Sequence, residues 1–226
     1  MGAWARVTRT VLAWTMPRGR WIARGPTDCG AVALTFDDGP HPLHTPRLLD
    51  TLGETGVPAT FFVVGREAAA HPKLIERMVS EGHQVANHTW THGEPSNVSA
   101  AALMTEVRET GALLRTLTGG DVTLFRPPKG EFTLEKLRLL WRSRQTIALW
   151  NVDPKDFAMT VPEQAERWAA SYRPDAGDIV LMHDNHPWGE LMVPEIVSRA
   201  RDGGLCFTTL GEWTTPIGAS RVEVTA

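Results

Sequence analysis

Ala31-Val32-Ala33-Leu34-Thr35-Phe36, running straight into Asp37-Asp38-Gly39-Pro40, is the stretch on which the fold turns. A short apolar run ended by carboxylates, glycine and proline reads as a buried strand that delivers acidic side chains to the loop at its C-terminal end. Four more clusters also stand just past apolar runs: His88-Thr89-Trp90-Thr91-His92, Arg126-Pro127-Pro128-Lys129-Gly130, Asp153-Pro154-Lys155-Asp156-Phe157 and Leu181-Met182-His183-Asp184. Working outward, the pattern predicts strands over 31–36, 59–64, 83–87, 122–125, 145–150, 178–182 and 205–209. Amphipathic segments over 45–54, 72–81, 100–117, 133–142, 162–172 and 191–202 alternate with them as helices. Gly56, Gly82, Gly119-Gly120 and Gly203-Gly204 stand where helices need stops. Such alternation predicts an α/β fold with a mainly parallel sheet closing into one barrel-like body, all five clusters converging on its C-terminal rim.

A chain of 226 residues fits a single domain. The expected division is an N-terminal extension over 1–28, the catalytic domain over 29–213 and a C-terminal tail over 214–226. A net charge of −3 gives no reason to expect a nucleic acid or an anionic membrane as partner. The first residues are basic but carry only the short apolar stretch Val11-Leu12-Ala13-Trp14, too brief for a secretory signal or a spanning helix. The expectation is a soluble, cytoplasmic protein. Cys29 and Cys206 make neither a disulfide framework nor a metal-knuckle spacing, and two buried thiols are expected. Whether they pair, should the first and last strands be neighbours, is left open.

A carboxylate and two histidines form a ligand set for zinc with a position left for water. His88 and His92, four residues apart, reach one ion if their segment makes a helical turn. Asp37 and Asp38 diverge in an extended or turning segment, so one binds a cation while the other faces the activated water. Taken alone, Asp37-Asp38-Gly39-Pro40 reads as a turn and the histidines as surface or capping residues; it is the conjunction that reverses this.

In order and spacing the five clusters resemble the polysaccharide deacetylase family, also called the NodB-homology domain or carbohydrate esterase family four, over roughly residues 31–213. The resemblance implies a distorted (β/α)7 barrel in one domain and a metal-dependent enzyme, usually with Zn2+ and otherwise a divalent ion such as Co2+. It implies removal of N-acetyl groups from an N-acetylated sugar, oligosaccharide or glycoconjugate. Carried over residue by residue, it makes Asp37 the general base and Asp38, His88 and His92 the metal ligands. Arg126 pairs with Asp37 and orients it. His183 is the general acid, its pKa raised by Asp156. Leu181 lines the acetyl pocket, the backbone N–H of Lys129 completes an oxyanion site, and Pro128, Lys129 and Trp150 are further substrate contacts. Amide hydrolysis needs these parts: a nucleophilic hydroxide, charge stabilisation at the oxyanion and a proton for a poor leaving group.

Three positions depart from the family pattern: Lys129 replaces an aromatic residue, Phe157 a tryptophan, and Asn151 an aspartate. All three are expected to concern the substrate, with Lys129 a flexible cation seeking an anionic group on a small glycoconjugate. His41 and His186 are rim candidates, His71 and His83 structural, Trp90 wall packing, and Asp153 and Asp184 loop-shaping. Competing readings are a hydrolase of another amide or ester, a cell-wall or chitin polymer deacetylase, and a silent glycan-binding relative. Retention of every ligand and of His183 weighs against the last.

Overall fold

The computed structural model describes residues 19–214. The rest of the expected extension and tail lies outside the described residues. Among the described residues eight strands run in chain order: β1 Trp21–Ile22, β2 Ala31–Asp37, β3 Thr60–Val63, β4 Gln84–Asn87, β5 Leu124–Phe125, β6 Thr146–Ala148, β7 Ile179–His183 and β8 Cys206–Phe207. The helices are α1 His44–Thr55, α2 Gly65–Ala70, α3 Pro72–Ser80, α4 Ala100–Thr118, α5 Leu134–Arg142, α6 Pro162–Ser171, α7 Trp188–Asp202 and α8 Leu210–Thr214. Short 3-10 turns occupy Pro128–Gly130 and Asp156–Ala158.

Every strand pairing is parallel, in the order β1-β6-β5-β4-β3-β2-β7. Among the described residues the ladder does not close, which makes this a distorted barrel. The gap is stitched by a single bridge from Val152 to Val180 and by Gly25 N–H donating to Gly177 O at 2.8 Å. β8 is not a stave between the ends; it pairs only with Ala31 and Val32 at the start of β2. β1 was hidden in the expected extension, because two residues carry no periodicity, yet it joins the sheet at the edge of β6.

All seven residues of β2 are buried, as a central strand covered on both faces must be. Its alternation sorts the core. Val32, Leu34 and Phe36 pack outward with Leu48, Leu49, Leu52, Val193, Ile196 and Val197, while Ala33 joins the inner cluster of Phe62, Phe125, Ile147, Ile179 and Leu181. Each fully buried side chain of this size contributes roughly 1.5–3 kcal/mol. By the same alternation Thr35 and Asp37 point inward, so the interior carries apolar residues below and a carboxylate at its mouth. Gly56, at φ +64°, ends α1 with its N–H on Gly53 O and Leu52 O, the left-handed stop the sequence suggests. Among the described residues no helix is long and apolar enough to cross a membrane.

Both cysteines are free and exposed, against the expectation of buried thiols. β8 is a two-residue strand of which Cys206 is the exposed half, and Cys29 lies in the loop ahead of β2, its thiol on Pro26 O. The last strand does lie beside the start of β2, with Cys206 N–H donating to Gly30 O at 2.9 Å, and both thiols are free.

Candidate active site

Strand register builds the site. In the β2–β7 ladder Asp37 pairs with His183, and in the β2–β3 ladder it pairs with Phe62, so carboxylate and imidazole stand at one level of adjacent strands. His88 follows β4 with its N–H on Val63 O at 3.0 Å, and Arg126 follows β5 with its N–H on Asn87 O at 3.0 Å. Four clusters distant in sequence thereby share one rim.

Arg126 precedes Pro127, which restricts its backbone to extended conformations. Its fully buried guanidinium donates from Nη1 to Asp37 Oδ1 at 2.6 Å and to Thr35 Oγ1 at 2.9 Å, and from Nη2 to Leu149 O at 3.1 Å. It lies 4.0 Å from the centre of the Phe62 ring and 5.5 Å from that of Trp150. Burial drives its pKa down while Asp37 opposes, and the net direction is downward. From so high a starting value it stays a cation.

Asp38 adopts φ +78°, which breaks the strand alternation and turns its carboxylate away from that of Asp37. The next residue must be glycine, since a Cβ at Gly39 would lie 2.0 Å from Asp184 Oδ2. Asp38 Oδ1 stands 3.4 Å from His88 Nε2 and 3.3 Å from His92 Nε2, and it is buried without a hydrogen-bond partner. These distances are long for a hydrogen bond but match the edge of a coordination tetrahedron, about 3.3–3.4 Å for bonds of about 2.0–2.1 Å. The Asp38, His88 and His92 ligand atoms all lie within 4.8 Å of one another. An orphaned carboxylate oxygen facing two imidazole nitrogens fits a divalent cation.

The segment carrying the two histidines does not make the helical turn that their spacing allows, yet both rings face Asp38 Oδ1. Thr89 at φ +70° and His92 at φ +54° make it an irregular loop. Side chains elsewhere shape it: Glu106 of α4 accepts from Trp90 N, Thr91 N and Thr91 Oγ1 at 2.9–3.1 Å, and Asn87 Oδ1 accepts from Thr89 N at 2.9 Å. His88 Nδ1–H donates to Arg126 O at 2.8 Å, which leaves its Nε2 lone pair facing the ligand position.

The electrostatics match this geometry. Burial raises the Asp38 pKa, but the histidines lower it further, and the carboxylate ends well below the usual range. Burial lowers His88, yet Asp37 and Asp38 carry it up; His92 goes down through burial and the neighbouring His88. His183 Nδ1–H donates to Asp156 Oδ1 at 2.7 Å, while the other Asp156 oxygen accepts from the His183 backbone N–H at 2.7 Å. Burial opposes the charged imidazole, but Asp156 prevails and pushes the pKa to about 9. Burial raises Asp184 to about 7; its Oδ2 accepts from Thr45 Oγ1 at 2.6 Å.

The structure thus gathers Asp37, Asp38, His88, His92, Arg126, Asp156 and His183. Leu181 lies two positions below His183 on the inner face of β7, in the same buried cluster as Trp150. Pro128 is buried in a crevice that Pro95 and Val98 also line, and the Lys129 ammonium meets Glu94 at 2.5 Å. Lys129 is therefore not the unengaged cation expected. Asn151 does not concern the substrate: its amide clasps Asp178 at 2.6 Å and Ile179 N at 2.7 Å, at the start of β7 and opposite the rim. Exposed Phe157 sits edge-on to His183 at 5.8 Å, and His186 lies 6.4 Å from the same ring. Sequence reasoning missed Asn185, whose Nδ2 lies 3.4 Å from Asp38 Oδ2, and Glu106, which no local pattern marks.

Residues 24–143 match the family model described as polysaccharide deacetylase. The chain is 39% identical over 174 residues to a chitooligosaccharide deacetylase of Sinorhizobium fredii, covering 76% of this chain and 80% of the relative. It is 30% identical over 215 residues to a peptidoglycan-N-acetylglucosamine deacetylase of Bacillus cereus, covering 92% and 75%. A crystal structure of a peptidoglycan N-acetylglucosamine deacetylase superposes with a TM-score of 0.82 at 28% identity, covering 90% of this chain and 96% of the other.

Proposed function

The chain belongs to the polysaccharide deacetylase family, and from that premise we propose that it hydrolyses the N-acetyl group of short N-acetylglucosamine oligomers with a divalent ion, Zn2+, held by Asp38, His88 and His92. The observation that carries this reading is the orphaned Asp38 Oδ1 set at 3.3 and 3.4 Å from two imidazole nitrogens, beside a carboxylate already engaged by Arg126. When bound, the ion activates water and polarises the acetyl carbonyl.

The rest is done by the chain. Asp37, held through Oδ1 by Arg126, has Oδ2 on the histidine side, 3.6 Å from His88 Nε2, and accepts the proton of the attacking water. The C–N bond breaks as His183 delivers its proton to the departing nitrogen, giving acetate and a free amine. His183 is suited to this because Asp156 keeps it protonated at neutral pH and fixes its ring. Leu181 and Trp150, buried in one apolar cluster beneath the rim, are the side chains that would meet the acetyl methyl.

The test is acetate release from a chitooligosaccharide series and from peptidoglycan fragments, with zinc and with chelator. Chelator-sensitive release supports the reading. A zinc-loaded protein that releases no acetate from any of them would show that the acyl group or the substrate has been wrongly assigned.

A further inference from the structure

We propose that Asp184, working with Thr45, is a positioning residue that braces the 37–41 turn so that one Asp38 oxygen alone faces the ligand position. The inference rests on the reading of Asp38, His88 and His92 as metal ligands, and it adds what holds that site in shape. The turn needs a brace. Asp38, at φ +78°, lies in the left-handed region, which a residue with a Cβ keeps only where its surroundings over-determine it.

Asp184 grips the turn at alternate positions. Its backbone N–H donates to Asp37 O at 3.3 Å. Its carboxyl packs on Gly39, both oxygens standing where a Cβ on that residue would go. Its Oδ2 accepts from Thr45 Oγ1 at 2.6 Å, and the same Thr45 oxygen accepts from His41 N–H at 2.7 Å. Residues 37, 39 and 41 are thus tied to one residue of the neighbouring loop, while Val64 N–H, on Gly39 O at 2.9 Å, holds the turn to β3. Asp184 is 1% exposed and Thr45 fully buried, so water does not compete for these bonds.

The next residue sorts the two Asp38 oxygens. Asn185 Nδ2 stands 3.4 Å from Oδ2, which turns that oxygen toward the Asp184 loop. Oδ1 is left to face His88 and His92 at 3.4 and 3.3 Å. Because Asp184 directly follows His183, the same grip fixes the offset between the ligand position and the imidazole of His183.

The experiment measures Zn2+ affinity by competition with a chromophoric chelator, and the visible spectrum of the Co2+-loaded protein, for the parent, Asp184→Ala, Thr45→Val and Thr45→Ser. Thermal melting shows which variants are folded at the assay temperature; Thr45→Val keeps the side-chain volume and stands in should Asp184→Ala not fold. Asp184→Ala and Thr45→Val should each weaken Zn2+ binding about tenfold, as losing a buried hydrogen bond does. Both should alter the Co2+ bands, because a relaxed Asp38 presents its second oxygen and changes the coordination geometry. Thr45→Ser, which keeps the hydroxyl, should restore affinity and spectrum. A residue that only stabilised the fold would lower the melting temperature and leave the Co2+ spectrum as it was. Parental affinity and spectrum in a folded Asp184→Ala or Thr45→Val protein overturn the inference, and so does a loss in Thr45→Ser as large as in Thr45→Val. Both metals are read without substrate: a parent that binds Zn2+ but releases no acetate defeats the deacetylase reading alone, whereas a parent that binds no Zn2+ overturns the brace together with the metal site.

Discussion

Replacing Asp156 by Asn should move the basic limit of activity by more than any other conservative change in the site. In the parent, His183 titrates near pH 9 because Asp156 outweighs the burial that disfavours its charged form. Asparagine keeps the size and can still accept the Nδ1–H bond, but it removes the negative charge. Burial then works against only the more distant Asp37 and Asp38, and the pKa falls from about 9 toward its ordinary 6.5. At pH 8 a fall all the way to 6.5 takes the protonated fraction from about nine-tenths to about 3%, so the loss in any step that needs the proton is at most about thirtyfold. The same shift appears in stability. The raised imidazole contributes stability that is fully present below pH 6.5 and is lost as pH rises through about 9, at most about 3 kcal/mol. Asp156→Asn should remove most of that loss between pH 6.5 and 9. Imidazole NMR of the metal-free protein reads the pKa, pH–rate profiles read the chemistry, and urea melts across pH read the stability. A His183 midpoint that stays near 9 in the variant would falsify the assignment of Asp156 as the group that raises it.

Asp37→Asn should abolish turnover while zinc remains bound at parental stoichiometry, whereas His92→Ala should lose both; equilibrium dialysis with metal analysis separates them, and a metal-free Asp37→Asn protein contradicts the division between the two carboxylates. Arg126→Met leaves Asp37 buried without its cation and should lower unfolding stability by about 3–5 kcal/mol, with partial recovery in the Asp37→Asn double variant. Urea unfolding that shows an additive pair would mean that the two do not interact as described. Gly39→Ala drives a methyl into the Asp184 carboxyl and should weaken zinc binding at least tenfold, because the turn that carries Asp38 has to move. Parental zinc affinity in that variant would show that the turn tolerates the displacement.

Much of this site is legible along the chain because strands and the residues just beyond them are contiguous in sequence. The apolar run ending in Asp37 sets the strand, its inward face and the rim together, and parallel pairing brings His183 alongside without further information. Where the expectation failed, a distant partner decided the outcome. The spacing of His88 and His92 allows a helical turn, but Glu106, fourteen residues past His92, accepts from the Trp90 and Thr91 N–H groups and holds the segment as an irregular loop. Lys129 looks like a free cation until Glu94 folds over it, and Asn151 looks like a site residue until its amide is found on Asp178. β1 is too short to show a period, and the exposure of Cys206 follows from the brief pairing of β8.

Glu106 also makes the ion and a distant helix thermodynamic partners. It belongs to α4 and holds the loop that presents His92, so fraying of α4 releases a ligand, and occupancy of the ligand position restrains that fraying. Binding of the proposed ion should then raise the free energy of local opening in α4 and slow amide exchange around Glu106 and Val107 in proportion to occupancy. Exchange in this backbone segment would then serve as a gauge of whether the proposed ion is bound.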